Sequence, residues 1–152
     1  MKIVSGEPYL AEIRALIAEY TQSLGRDLTF QNLSAELENL SSKYVPPYGQ
    51  LLAVLSDDGM AAGCVAFCRH SAQRCEMKRL YVRPNCRGQG IGQQLIERII
   101  TEARQAGYAE MVLDTLLPMQ SAIKLYRSFG FREIPPYYNN PMPDVLYLRL
   151  TL

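Results

Sequence analysis

No apolar run in this 152-residue sequence approaches the ~18–20 residues that a membrane span needs. The longest candidate, Met60 to Cys68, reads instead as a buried strand. The amino-terminal apolar stretch ends at Gly6-Glu7-Pro8, too early for a secretory leader, so a cytoplasmic protein without a membrane partner is expected. Histidine is nearly missing. His70 is the only one, and the cysteines (Cys64, Cys68, Cys75, Cys86) form no Cys-x-x-Cys pair, so no metal site is expected. Reduced thiols are the default in the cytosol. An excess of either charge is also lacking: 16 Lys and Arg stand against 15 Asp and Glu, a net charge of +1. That balance argues against a protein that coats nucleic acid or anionic lipid. It leaves room for a local basic pocket that holds one phosphorylated ligand.

What is present suits one globular domain spanning 1–152. The apolar fraction is 48%, enough for a core and too much for a disordered chain. Lys2 to Val4 suits a short first strand. Leu10, Ile13, Leu16, Ile17 and Tyr20 recur at helical spacing between Pro8 and a stop at Gly25. Phe30, Leu33, Leu37, Leu40 and Tyr44 repeat at three and four, which predicts a second helix ended by Pro46-Pro47. Gln50–Leu55 and Met60–Arg69 flank Asp57-Asp58-Gly59, a hairpin signal. Cys75–Val82 reads as a third strand of this group. Gly90–Ala106 carries an apolar helical stripe and meets Gly107. Glu110–Thr115 reads as a strand, Pro118–Phe129 as a helix stopped by Gly130, and Val145–Leu152 alternates like a strand. The fold class is therefore α/β: a mixed, mostly antiparallel central sheet with helices on both faces, in the order β-α-α-β-β-β-α-β-α-β-β. With a single strand–helix–strand crossover, it is not a doubly wound dinucleotide fold.

Three of the ten glycines fall within five residues, Gly88, Gly90 and Gly92, in Arg87-Gly88-Gln89-Gly90-Ile91-Gly92 between a strand and a helix. Missing side chains let backbone approach a ligand, and free N–H groups at a helix start point toward an anion. Arg83 and Arg87 add positive charge. The loop suits a pyrophosphate. It matches neither the Walker pattern, because Gly92 is followed by Gln93-Gln94, nor Gly-x-Gly-x-x-Gly.

Arg87-x-x-Gly90-x-Gly92, after Leu80-Tyr81-Val82-Arg83-Pro84, resembles the acetyl-CoA-binding motif of the GCN5-related N-acetyltransferases (GNAT). Ser121 to Phe131 is similar to that family's second motif, Ala-x-x-Leu-Tyr-x-x-x-Gly-Phe. The stretch from Cys75 to Pro136 looks like a bacterial branch of mostly unassigned substrate. The resemblance implies an acyl-CoA N-acyltransferase-like fold with acetyl-CoA as co-substrate, laid along the strand 75–82 where it splays from 110–115. Leu80, Tyr81 and Val82 would pair with the pantetheine, and Arg87, Gly88, Gln89, Gly90, Ile91 and Gly92 would hold the pyrophosphate. It makes Tyr126 the acid that protonates the departing CoA thiolate. The family often has asparagine seven residues before this tyrosine. Here the residue is Met119, and Gln120 is the neighbour able to replace its hydrogen bond.

Transfer to an amine also needs a base, since a lysine-type ammonium has a pKa of ~10.4. Glu76 is the candidate, at the place where histone acetyltransferases of the family carry a catalytic glutamate. Strand alternation puts Glu76, Lys78, Leu80 and Val82 on one face. A strand amide near Leu80 is the candidate oxyanion donor. Cys86 reads as structural and His70 as a surface or turn residue. For the acceptor, the loop Pro135 to Pro143 offers Tyr137 and Tyr138 as walls, with Tyr44, Tyr48 and Asp114 as further candidates. The expected function is direct acetyl transfer to a small-molecule primary amine. A protein lysine or N-terminal acetyltransferase and a non-catalytic acetyl-CoA sensor stay open as alternatives. The closing strand 145–152 would offer an edge for a homodimer.

Overall fold

The computed structural model describes residues 1–26 and 33–152. Strand β1 (Lys2–Ser5) leads into helix α1 (Leu10–Leu24), which ends at Gly25 with φ 61°, a left-handed cap suited to glycine. Two short helices follow, α2 (Leu33–Glu38) and α3 (Leu40–Lys43), where the periodicity predicts one. The break falls at Asn39, which has non-helical backbone angles. Phe30, the first residue of that predicted stripe, lies outside the described residues. Strands β2 (Gln50–Leu55), β3 (Ala61–Arg69) and β4 (Arg74–Val82) form an antiparallel run. Helix α4 (Ile91–Gln105), strand β5 (Glu110–Leu116), helix α5 (Gln120–Ser128), and strands β6 (Arg132–Ile134) and β7 (Val145–Thr151) complete the chain.

The seven strands make one sheet in the order β1-β2-β3-β4-β5-β7-β6. Only β4 and β5 pair in parallel, and helix α4 makes the crossover between them. Alternation along the strands divides the core between two faces. Leu52 and Val54 of β2 pack beneath α4, with Leu95, Ile96 and Ile99; Leu51 and Ala53 pack beneath α1, with Ile13, Leu16 and Ile17. The expected α/β fold with helices on both faces is therefore the observed one.

Two expectations are corrected. The closing strand is not a free edge over its centre: Gly130, at φ 101°, turns the chain after α5, and β6 then covers Tyr147–Arg149. The alternation in β4 is also broken. Cys64 pairs with Tyr81 and Ala66 with Lys78, so β4 carries one residue more than β3 between these pairs. Arg79 takes the extra place with φ 62°, a left-handed conformation that costs a non-glycine residue about 1–2 kcal/mol. Beyond this bulge the faces exchange. Leu80 and Val82 pack on the α4 side, whereas Glu76 shares its face with the α1-side residue Cys68 opposite it.

Candidate active site

The site begins where β4 and β5 part. Their ladder holds for three pairs, Arg74 with Glu110, Cys75 with Met111 and Glu76 with Val112, and then stops. The bulge at Arg79 bends β4 away and removes Arg79 and Leu80 from the ladder with β3. Two connected hollows fill the opening.

The outer hollow is a cleft of about 670 Å³ between β4, the loop before α4, and the start of α5. Leu80, Tyr81, Val82, Arg87, Gly88, Gly90, Ile91 and Gly92 all line it, together with Gln93 and Ser121. The structure thus gathers the glycine-loop residues expected from the sequence, apart from Gln89. Gly88 and Gly90 have φ of 79° and 76°, so their backbone conformation, not lack of room, requires glycine. A Cβ at either position would meet nothing within 4 Å, which leaves the loop open toward the cleft. The first turn of α4 carries no acidic residue, so its positive end is unopposed. Arg87 Nε donates to the Val82 carbonyl at 2.9 Å and holds the guanidinium beside the loop.

The inner hollow is a recess of about 70 Å³. Tyr20 and Leu24 of α1, Leu80 and Met119 border both hollows. Lys78, Asp114, Thr115, Tyr126, Asn140 and Met142 complete the recess with neighbouring strand residues. Tyr126 is buried on α5 against Phe131. Burial, helped by Tyr20 and the Asp114 charge, pushes its phenol well above the ordinary tyrosine pKa, so it stays protonated at neutral pH. Met119 occupies the start of α5, and its sulfur receives the Tyr20 hydroxyl at 3.9 Å and the Thr115 hydroxyl at 3.8 Å. The Gln120 side chain turns back to the Leu117 carbonyl, so it does not replace the asparagine of the family pattern.

Glu76 does not line the recess. Its buried carboxylate accepts the Tyr137 hydroxyl at 2.6 Å, and His70 Nε2 lies 2.9 Å from its other oxygen. Burial alone would raise its pKa, but the hydrogen bond from His70, the Lys78 charge and the bond from Tyr137 outweigh it and hold Glu76 below the ordinary value. Arg74, two residues before Glu76 on β4, binds Glu110. His70 is thus a turn residue, as expected, with a partner that the sequence did not show.

The loop between β6 and β7 closes the recess. The Tyr138 hydroxyl donates to Asp114 Oδ2, and Asn140 Nδ2 donates to Tyr138 Oη at 2.8 Å. Tyr137 packs between His70, Tyr138 and Tyr147. Arg26, just past α1, grips Asp144 with two bonds of 2.5 and 2.8 Å and ties the far end of the loop to the helix. Tyr44 is misplaced by the sequence reading: it is buried in the α1-side core and borders a different cavity with Ser5, Pro46 and Gln50. Tyr48 is 58% exposed and stacks against Arg69. The sequence reading passed over Tyr20, Lys78, Asn140 and Met142. Asn140 stood in the candidate loop; Tyr20 was absorbed into an apolar stripe and carried no separate signal.

Beneath the recess lies a buried ion pair. Arg79 Nε and Nη2 donate to the two oxygens of Glu36 at 2.6 and 3.0 Å, and Lys43 adds a bond of 2.8 Å. The buried thiols offer no competing nucleophile. Burial pushes Cys64 and Cys75 up to about 12 and Cys68 to about 11, and Cys86 packs half-buried against the core.

Comparison with known proteins agrees with this geometry. Residues 48–133 match the family described as an acetyltransferase (GNAT) domain. A Schizosaccharomyces pombe protein named as an uncharacterized N-acetyltransferase is 47% identical over 144 residues, spanning 94% of this chain and 88% of its own. An acetyltransferase structure from Streptococcus agalactiae has a TM-score of 0.82 at 24% identity, covering 99% of this chain and 98% of that one. A GNAT family acetyltransferase from Elizabethkingia anophelis, solved with acetyl-CoA bound, has a TM-score of 0.59 at 24% identity over 68% of this chain and 76% of that one. The family match over residues 48–133 and the 47% identical relative show that this chain belongs to the GNAT acetyltransferases and is an N-acetyltransferase.

Proposed function

We propose that the protein transfers the acetyl group of acetyl-CoA directly to the primary amine of a small molecule. The opening between β4 and β5 beyond Glu76 and Val112 carries this reading, because it joins an anion-suited loop to a recess that holds Tyr126. Pantetheine lies along Leu80–Val82, and the pyrophosphate meets the amides of residues 87–92. The recess is small and closed by the loop bonded to Asp114, which favours a small acceptor over a protein segment. An intact Tyr126 in the recess favours turnover over sensing.

In the reaction the amine nitrogen bonds to the thioester carbonyl carbon. The developing oxyanion is met by the Leu80 N–H, which the bulge leaves out of the β3–β4 register. The C–S bond then breaks, the sulfur takes the Tyr126 proton, and the extra amine proton passes to a base. Glu76 is that base, reached through Tyr137 or water because it stands behind the recess. The same hydrogen bond favours a second role, in which Glu76 anchors the closing loop through Tyr137.

Measuring CoA release with a panel of amines tests the activity; activity confined to lysine-bearing proteins would overturn the small-molecule acceptor. Glu76→Gln separates the two roles of Glu76. Loss of the base shifts the pH–rate profile toward the free amine's own pKa. A lower rate with an unmoved profile assigns Glu76 to the loop alone.

A further inference from the structure

Lys78 and Asp114 stand at the same level on either side of the strand opening. The last ladder pair is Glu76 with Val112, and each of these residues lies two positions further along its strand. Both line the inner recess and both are half-buried. Neither forms an ion pair among the described residues, although the recess also holds Arg79, which Glu36 neutralises. The two hydrogen bonds that Asp114 accepts, from Tyr138 and Asn140, fall on Oδ2. Oδ1 is left without a donor among the described residues. The recess therefore presents one ammonium that forms no ion pair among the described residues, although its charge also acts on Glu76, and one open carboxylate oxygen, in the same recess that Tyr126 lines.

We infer that the acceptor is a zwitterion, a free amino acid or a close analogue. Asp114 Oδ1 takes the amine end and Lys78 takes the carboxylate; this rests on the acetyltransferase reading of the same site. A neutral amine or a polyamine would leave Lys78 facing an uncompensated positive charge or none at all. A carboxylate is the group that a half-buried ammonium binds with a strong, charge-assisted bond. Tyr138 and Asn140 hold Asp114 in place, so they act as positioning residues.

The test measures kcat and KM for free amino acids and for their amides, which keep the amine and lose the carboxylate. Acetyl-CoA binding is followed separately by thermal shift. The expected result is at least one amino acid whose amide is worse by roughly 10–100-fold in kcat/KM, the range for losing a hydrogen bond to a charged group. Lys78→Met then raises KM for the acid far more than for the amide, a selectivity that a merely structural lysine would not show. Amides or simple amines accepted as well as the acids would overturn the inference while the acetyltransferase reading stands. So would acetyl-CoA binding with no turnover of any amino acid. Failure to bind acetyl-CoA would overturn both.

Discussion

Replacing Tyr126 by phenylalanine lowers kcat by roughly 10²–10⁴-fold, the usual worth of a positioned general acid. Acetyl-CoA affinity stays nearly unchanged, because the lost hydroxyl faces the recess and not the pyrophosphate loop. The effect is this large because nothing nearby can substitute. The Tyr20 hydroxyl is directed at the Met119 sulfur, Cys64, Cys68 and Cys75 are buried on strands, and none of the four cysteines lines the recess. The phenol carries its proton at neutral pH, as an ordinary tyrosine of pKa ~10 does, and burial raises that pKa further. Folding is little affected: the ring keeps its edge-on contact with Phe131, 5.8 Å between centroids. Single-turnover kinetics and an acetyl-CoA titration of the same variant check both halves. Turnover equal to that of the native protein would remove Tyr126 as the acid.

Arg79→Met destabilises the fold by about 3–5 kcal/mol, since it leaves Glu36 charged and buried without its main partner. The double variant Arg79→Met with Glu36→Leu recovers much of that loss, because burying neither charge is cheaper than burying one. The pair also sets a pH dependence. Burial works to raise the Glu36 pKa, but the hydrogen bond and charge of Arg79, with Lys43, lower it to about 2 from an ordinary 4.5. A carboxylate with a depressed folded pKa stabilises fully above its unfolded pKa, and the gain is lost as pH falls through the folded one. The difference corresponds to about 3 kcal/mol, lost between about pH 5 and pH 2. Urea unfolding at pH 7 and pH 3 reads about 2 kcal/mol of it, because pH 3 still lies above the folded pKa. A Glu36→Gln variant with the same acid sensitivity as the native protein would contradict the assignment. The pair matters to function as well. It opposes the strain of Arg79 in its left-handed conformation, and Arg79 directly precedes Leu80, whose amide is the proposed oxyanion donor.

The parts of the fold legible in the sequence are those with local signals. Glycines at 88, 90 and 92 mark the loop, and the stripe of Leu95, Ile96, Ile99 and Ala103 marks α4. The bulge left no trace, because Arg79 adopts positive φ without being glycine or asparagine. Its support comes from Glu36, 43 residues earlier, and no periodicity links positions that far apart. For the same reason the strand face of Glu76 and Lys78 was wrongly extended to Leu80 and Val82. The closing loop is legible as a candidate wall, but its tyrosines do not line the recess: Tyr138 reaches it only through its bond to Asp114, and Asn140 and Met142 are the loop residues that border it. Its tie to Glu76 through Tyr137 spans 61 residues and was visible only in the fold. Tyr44 was misjudged because a tyrosine at the end of an apolar stripe looks the same whether it faces a site or the core.

The central claim is that acetyl-CoA occupies the cleft between β4 and the start of α5. Thermal unfolding with acetyl-CoA, dephospho-CoA and NAD tests it most directly. A ligand at 100 times its Kd adds about 2.7 kcal/mol, which for a domain of this size raises Tm by about 5–10 °C. The expected result is that rise with acetyl-CoA and none with NAD. No rise with acetyl-CoA, or a larger one with NAD, would contradict the account.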